Sequence, residues 1–446
     1  MSKMIKNVKL YQKGIFPPQE QINQNTAFVD GSQIYGSEEA VANSVRSKKR
    51  GLLNVTLHEG NGQPLPPRAG NGFEPHECPI PESNSKCFLA GDIRVDEMPG
   101  LLAMHTTFIR LHNIIAEELY RLNKRKWNDE TLFQETRRIV SALIQQITYR
   151  DWLPHVLGPT LMADLDLGTG NQGYKDTYNT NVNPTIRNVF ATAAFRFGHT
   201  LLTDFVKAAK EKDNQPLEGN FFNITLITED ETSPSSLLKG LSRCPASPID
   251  GFVANTFTDK LFAIANDDGN FFGLDLVALN IQRGRDHGIP SYRKWRKYCG
   301  LNDVKTFKKL EKVMEKPLAK EFARIYNKMD DVDIFPAALS EYPIKDGLLG
   351  ETLSCLLARQ FAQIKHGDRF WYERQDQPKP FTPAQLSAIR SQGLASIMCR
   401  VSEHTTYGFQ PDPFLVSDYP GNGVMDCSNY AFINLNPWKA KKGNKG

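Results

Sequence analysis

The chain has no run of about 18 apolar residues, so nothing in it reads as a membrane helix, and its first ten residues lack the apolar core of a secretory signal. No block of five or six like charges precedes the short basic tail Lys439-Ala440-Lys441-Lys442, and 54 Lys+Arg against 50 Asp+Glu leave a net charge of only +4. Nucleic-acid binding is not indicated by such a balance. Internal repeats are absent, which sets aside solenoids and propellers. Cysteines are sparse, seven in 446 residues, and none stands in the C-x-x-C spacing of a zinc or redox site.

What is present is an ordinary globular composition, 40% hydrophobic and 23% charged, enough for a sizeable core. At roughly 150 residues per domain the length suggests about three domains, yet no composition break forces a linker. Two N-x-S/T sequons, Asn54-Val55-Thr56 and Asn223-Ile224-Thr225, together with the cysteines, favour an oxidising, extracellular setting. The odd cysteine count implies a free thiol or a missing partner.

Residues 1 to about 92 read as loop, being punctuated by Pro17-Pro18 and Pro64-Leu65-Pro66-Pro67. From Leu101 to Leu122 the residues Met104, Phe108, Leu111, Ile115, Leu119 and Leu122 recur every three or four positions, which predicts a helix with one buried face. A second helix is predicted from about Leu132 to Leu153. A third, opened by Asn183-Pro184 and ending near Phe205, carries His199. Shorter helices are expected at 254–266, 273–281, 306–313, 316–328, 350–364 and 382–395, whereas 207–220 and 227–237 are polar enough for surface loops. Strand-like runs are few, so the expected class is mainly α: one large helical domain with a loop-rich N-terminal extension.

Four segments hold the residues that chemistry would need. His199, taken alone, is what a core histidine looks like; beside it Gly198 removes side-chain bulk and lets a large planar ligand approach, and Arg196 is placed to pair with carboxylates on that ligand. The run Leu279 to Gly288 offers Asn280 as an acceptor for the ring nitrogen of a ligating histidine, or is simply a charged surface network around Arg283. The run Ala90 to Gly100 sets Arg94, Asp96, Glu97 and Met98 just before the first strong helix; a capped helix start accounts for the acids but not for Arg94 or Met98. Thr26, Phe28, Asp30 and Ser32 alternate oxygen donors of the kind hard Ca²⁺ takes, although an ordinary turn has the same composition and one loop supplies too few of them.

Together, and in this order, these segments resemble the animal haem peroxidases. The likeness also runs through Phe28 to Glu38, Met104-His105 to His112-Asn113, and Ile147-Thr148-Tyr149-Arg150-Asp151, and it extends from about Asn25 to Trp438. It divides the chain into a non-matching leader at 1–24, a peroxidase domain at 25–438 and a basic tail at 439–446. The resemblance implies haem b on His199 as proximal iron ligand, Asn280 accepting from its far nitrogen, Arg196 and Arg283 on the haem propionates, and Arg94 as the catalytic arginine on the peroxide side. Glu97 matches the residue that forms an ester to a haem methyl group, and Met98 the position of a second covalent link in one branch of the family. Thr26, Phe28, Asp30 and Ser32 match a calcium loop. Cys78–Cys87, Cys299–Cys355 and Cys399–Cys427 are the implied disulfides, with Cys244 left over.

The implied activity is reduction of hydrogen peroxide and oxidation of halide, thiocyanate or phenolic donors through ferryl haem, in a secreted protein. One departure qualifies it. The family carries a Gln, an Asp and the distal His ahead of the calcium loop, and nothing in residues 1–25 matches that segment; the first histidine is His58. The expectation is therefore a catalytic domain incomplete at its N-terminus, with impaired peroxide chemistry. The alternative is a non-catalytic adhesion module with a matrix or cell-surface protein partner. A cyclooxygenase-like fatty-acid oxygenase is weaker, because Glu97 and the calcium loop point to the covalent-haem branch.

Overall fold

A computed structural model of the chain describes residues 21–69, 87–124, 126–209, 214–228, 234–265, 271–402 and 408–440. Two short helices, α1 (Ser32–Tyr35) and α2 (Glu39–Val45), and a two-stranded ladder, β1 (Thr56–Leu57) with β2 (Pro64–Leu65), lie in the stretch expected to be loop. The helix predicted at Leu101 is α3 (Pro99–Leu122), with Pro99 at its first position and Leu102, Leu111, Ile115 and Leu119 nearly solvent-free. Then α4 (Asp129–Gln146) starts on Asn128, whose side chain accepts from the Thr131 N–H at 2.8 Å. A π-helical segment, Ile147–Trp152, carries the rod on into α5 (Leu153–Asp164). These helices and α1 enclose a core that includes Ile34, Tyr35, Phe133, Ile139 and Tyr149.

The third predicted helix is shorter and broken. Residues 183–187 are not helical, because the Gln360 side chain takes the Arg187 N–H at 2.9 Å and donates to the Thr185 carbonyl at 3.2 Å, meeting the needs a helical turn would have met. The helix α6 spans Asn188–Thr192, breaks at Ala193 (φ −138°, ψ −62°), and resumes as a 3₁₀ segment, Ala194–Leu201, that carries His199. The polar stretch 207–220 includes β4 (Gln215–Pro216), paired with β3 (Phe205–Val206). After α7 (Thr225–Thr228), the end of the expected loop 227–237 is the start of α8 (Pro234–Arg243), which packs against α3 with Ser235, Leu237 and Leu238 buried.

The expected helix at 254–266 resolves into α9 (Thr256–Asp259) and β5 (Leu261–Ala265), which pairs antiparallel with β6 (Phe271–Leu274). From there α10 (Leu276–Asp286), α11 (Tyr292–Tyr298), α12 (Phe307–Leu310), α13 (Lys316–Ile325), α14 (Ile334–Leu339) and α15 (Glu351–His366) follow; α10, α12, α13 and α15 overlap predicted helices, whereas α11 and α14 stand where none is predicted. The helix expected at 382–395 is two helices, α16 (Pro383–Arg390), held by a reciprocal Thr382–Gln385 capping box, and α17 (Leu394–Val401). The fold is mainly α with three two-stranded ladders among the described residues.

Two implied disulfides are in place, Cys299–Cys355 joining α11 to α15 and Cys399–Cys427 tying α17 to the C-terminal segment. Cys87 is also disulfide-bonded, Cys78 lies outside the described residues, and Cys244 is a free thiol.

Candidate functional site

Site geometry begins with two loops joined through their backbones. The Gly91 and Asp92 N–H groups donate to the Ile34 and Gln33 carbonyls of α1 at 3.1 and 3.0 Å. A Cβ on Gly91 would lie 2.2 Å from both the Gly36 nitrogen and the Ser32 oxygen, so only glycine allows this approach. Arg94 is thereby set at the mouth of a cavity of about 340 Å³ lined by Gln33, Ile34, Asp92, Glu97, Met104 and His105, among others. Its guanidinium grips Asp92 with both arms, Nε to Oδ1 at 2.9 Å and Nη2 to Oδ2 at 2.6 Å, while the side chain stays 56% exposed. Burial would raise the Asp92 pKa, but the hydrogen bonds and charge of Arg94 outweigh it and hold the carboxyl below its usual range.

Glu97 shares this cavity, and its carbonyl accepts from the Phe222 N–H at 3.3 Å. Met98 does not line the cavity; it packs against the small apolar cluster of Leu217, Phe221, Phe257 and Leu261. His105 was not foreseen as a site residue. It sits on α3 one turn after Leu101, whose carbonyl accepts from its Nδ1 at 2.9 Å, and burial lowers its pKa. Its sequence signals are its place on the otherwise apolar stripe of α3 and the Met104-His105 stretch of the family likeness.

The second half of the site is built from the 3₁₀ segment and α10. His199 and Asn280 are brought together as expected, 2.8 Å apart, with Asn280 fully buried. The polarity differs from the expectation: the Asn280 amide nitrogen faces His199 Nδ1 and donates to it, because the amide oxygen is taken by Arg196 Nη1 at 2.6 Å. For Asn280 to accept from Nδ1–H instead, its amide must turn end for end, which sets its NH₂ against Arg196. Burial, and then the Arg196 charge, lower the His199 pKa to about 4, so the imidazole is neutral at pH 7.

Arg196 is itself depressed, first by burial and then by the nearby Arg283 and Arg94 guanidiniums. Its other partner is the Ala191 carbonyl at 3.0 Å, and among the described residues neither Arg196 nor Arg283 has a carboxylate partner. Arg283 and Arg94 thus both act on Arg196, and among the described residues only Arg94 of the three is paired with a carboxylate. A neutral imidazole, this positive surround, and Gly198, where an added Cβ meets nothing within 4 Å, fit a planar iron porphyrin bearing carboxylates.

The fit to calcium is thinner. Thr26 Oγ1 donates to the Phe28 carbonyl at 3.3 Å and Asp30 Oδ1 accepts from the Ser32 N–H at 3.0 Å, so the loop partly satisfies itself. The loop is anchored on α4, where Ser141 donates to the Asp30 carbonyl and Gln145 to that of Val29. Asp30 also stands near Asp368, whose pKa is pushed up to about 6, mainly by burial and to a smaller extent by the Asp30 charge, against the hydrogen bonds from Phe370 N–H and Gln145. Among the described residues no group of three or more His, Cys, Asp or Glu is placed to hold a metal.

Comparison with known proteins places the chain in a family. The Animal haem peroxidase family model matches residues 2–414, starting ahead of Asn25. The peroxidasin homolog of Mus musculus is 40% identical over 436 residues, 95% of this chain and 28% of that protein. Eosinophil peroxidase of Mus musculus is 38% identical over 435 residues, 94% of this chain and 58% of the relative. Among solved structures, peroxidase A of Dictyostelium discoideum superposes with a TM-score of 0.74 at 29% identity, over 89% of this chain and 72% of that one. A fatty acid alpha-dioxygenase of Arabidopsis thaliana, at 20% identity and TM-score 0.71 over 93% and 67% of the two chains, shares the fold. The chain spans between about a quarter and three fifths of the curated relatives named here. On its sequence, its helical architecture and the family match over residues 2–414, the chain belongs to the animal haem peroxidases.

Proposed function

We propose that this chain binds haem b through His199 and acts as a peroxidase, reducing hydrogen peroxide with electrons from a halide, thiocyanate or phenol. The observation that carries the reading is the His199–Asn280–Arg196 chain of hydrogen bonds facing the same convergence of guanidiniums as Arg94. Bound iron would supply the redox chemistry of peroxide reduction. The residues supply the rest. His199, kept neutral by burial, offers its Nε2 lone pair once the Asn280 oxygen holds the proton on Nδ1. Arg196 and Arg283 neutralise the propionates, which frees Asn280 to turn. Arg94, permanently charged and oriented by Asp92, favours negative charge developing on a peroxide oxygen and cannot serve as its base.

Glu97 lines the cavity, which supports its assignment to an ester with the porphyrin, whereas the packing of Met98 in an apolar cluster gives a second link less support. Thr26, Phe28, Asp30 and Ser32 form the calcium loop of this reading, and α1, which follows it directly, carries the backbone bonds that brace the Arg94 loop. The disulfides support an extracellular location.

The test is haem titration of the full chain followed by a peroxide assay. Wild type is expected to give a Soret band at one haem per chain and measurable turnover; His199→Ala is expected to abolish stoichiometric haem uptake. Equal uptake by His199→Ala would remove His199 from its role. A haem-loaded chain without peroxide turnover would leave the adhesion-module reading in its place.

A further inference from the structure

A recess of about 880 Å³, distinct from the Arg94 cavity, lies where the stretch 302–313 meets residues 341–345. Its floor is closed by charge pairs that are already complete. Arg296, 1% exposed, donates from Nη1 to Glu341 at 2.5 Å, from Nη2 to Glu351 at 2.9 Å and from Nε to the Asn302 carbonyl at 3.2 Å. Glu341 in turn accepts from the Tyr292 hydroxyl and from the Thr352 N–H and hydroxyl. Asp303 is gripped by both arms of Arg293, at 2.6 and 2.9 Å, and that pairing is the first cause of its lowered pKa.

The walls are the opposite. Lys305, Lys309, Lys312 and Lys345 line the recess, all four are exposed, and among the described residues no ion pair joins any of them to a carboxylate. Lys308, between them in sequence, is instead paired with Glu311 at 2.8 Å. A concave surface of this volume is within the range of ligand sites, and its unspent groups are all cations.

The kind of unspent cation narrows the ligand. Bidentate recognition of a phosphate needs a guanidinium, and the arginine here has no arm left, which leaves point-charge contacts from lysine. Single-stranded nucleic acid needs a series of rings for its bases, and the recess has one aromatic, Tyr342, 44% exposed. Lysine ammoniums are point charges on flexible stems, suited to sulfates spread along a chain, and a single exposed ring suits the apolar face of a sugar. The geometry points to a binding site for a sulfated polysaccharide in this recess, with Lys305, Lys309, Lys312 and Lys345 on its sulfates and Tyr342 against a sugar ring.

The experiment titrates the full chain with a heparin hexasaccharide at about 0.1 M salt, where exposed charges further apart than the screening length of about 10 Å act independently. Lys309→Glu/Lys312→Glu is expected to weaken binding more than tenfold, and Lys305→Ala/Lys345→Ala, which removes charge without reversing it, by a smaller factor. The charge-matched pair Lys124→Glu/Lys126→Glu, outside the recess, is expected to change it less than twofold. Each variant is checked for an unchanged melting temperature. The proposal is overturned if wild type does not bind, if the desulfated hexasaccharide binds as well, or if the control pair loses as much as the recess pair. Equally tight binding of a single-stranded DNA of the same charge would overturn it in favour of nucleic acid.

Discussion

Two arginine centres in this protein are treated in opposite ways. Around Arg296 the acids outnumber the buried cation: Glu341 is 2% exposed at its side chain, and Glu351 and two hydroxyls complete the cluster. Around Arg196 the neighbours are other arginines and neutral oxygens. A buried cation surrounded by acids is at rest and serves the fold. Cations without acid partners, as Arg196 and Arg283 are among the described residues, raise the energy of the empty fold and become favourable only when an anion arrives, which marks the second centre as a place for a ligand.

Breaking the first centre should cost most. Arg296→Ala leaves Glu341 buried without its counter-ion, and the expected loss is about 3–5 kcal/mol, read as a lower urea midpoint. At the second centre the same kind of change should behave differently. Arg283→Gln removes a repulsive neighbour of Arg196, so the haem-free chain should be no less stable, while haem binding should weaken by about 10- to 150-fold, as expected for a charge-assisted hydrogen bond worth about 1.5–3 kcal/mol. Should Arg283→Gln destabilise the haem-free chain as Arg296→Ala does, the contrast between the centres disappears.

The effects of pH carry opposite signs. His199 and the fully buried His112 both hold pKa values near 4 in the fold against 6.5 outside it, so the unfolded chain binds protons that the fold refuses. Stability contributed this way is lost as pH falls from about 6.5 towards 4. Asp96 reverses the sign. Its Oδ2 accepts from the Phe88 N–H at 2.8 Å, and burial, with smaller opposing contributions from that bond and Arg68, raises its pKa to about 7. Its contribution is complete below about 3.8 and disappears as pH rises through 7. Asp96→Asn should therefore raise the melting temperature by a few degrees at pH 8 and hardly change it at pH 4; equal shifts at both pH values would show that the Asp96 charge is not what matters.

Elements that the sequence announced were those whose own residues decide them. The stripe of α3 and the Thr382-Pro383 start of α16 are local signals, and both helices form there. Where a distant side chain decides, the reading failed: Gln360 satisfies residues 185–187 from 173 positions away or more. The start of α8 was hidden because Ser235 and Ser236 are buried polar residues, which an apolar count scores as surface. Phe262 sits at φ 55° beside a shift in strand register, a bend that an apolar run such as Leu261 to Ala263 does not reveal. At the site, periodicity placed His199 on a helical segment, but its contact with Asn280, 81 residues away, came only from resemblance, and the direction of that hydrogen bond only from the structure.

The π-helical segment between α4 and α5 has a consequence for inheritance. Its wider turns place Trp152 edge-on against Phe195 and Phe361, and let Arg150 reach the carbonyls of Arg390 and Gln392 at 2.7 and 2.8 Å. A π turn holds one residue more than an α turn, so losing one residue from Ile147–Trp152 would let regular helix run on with the first turn of α5, up to its break at Gly158, facing much as it does now. Substitutions in this segment change one contact each, whereas a single-codon deletion would remove the wide turn from which Trp152 and Arg150 reach their partners. The extra residue therefore serves those contacts rather than the direction of α5.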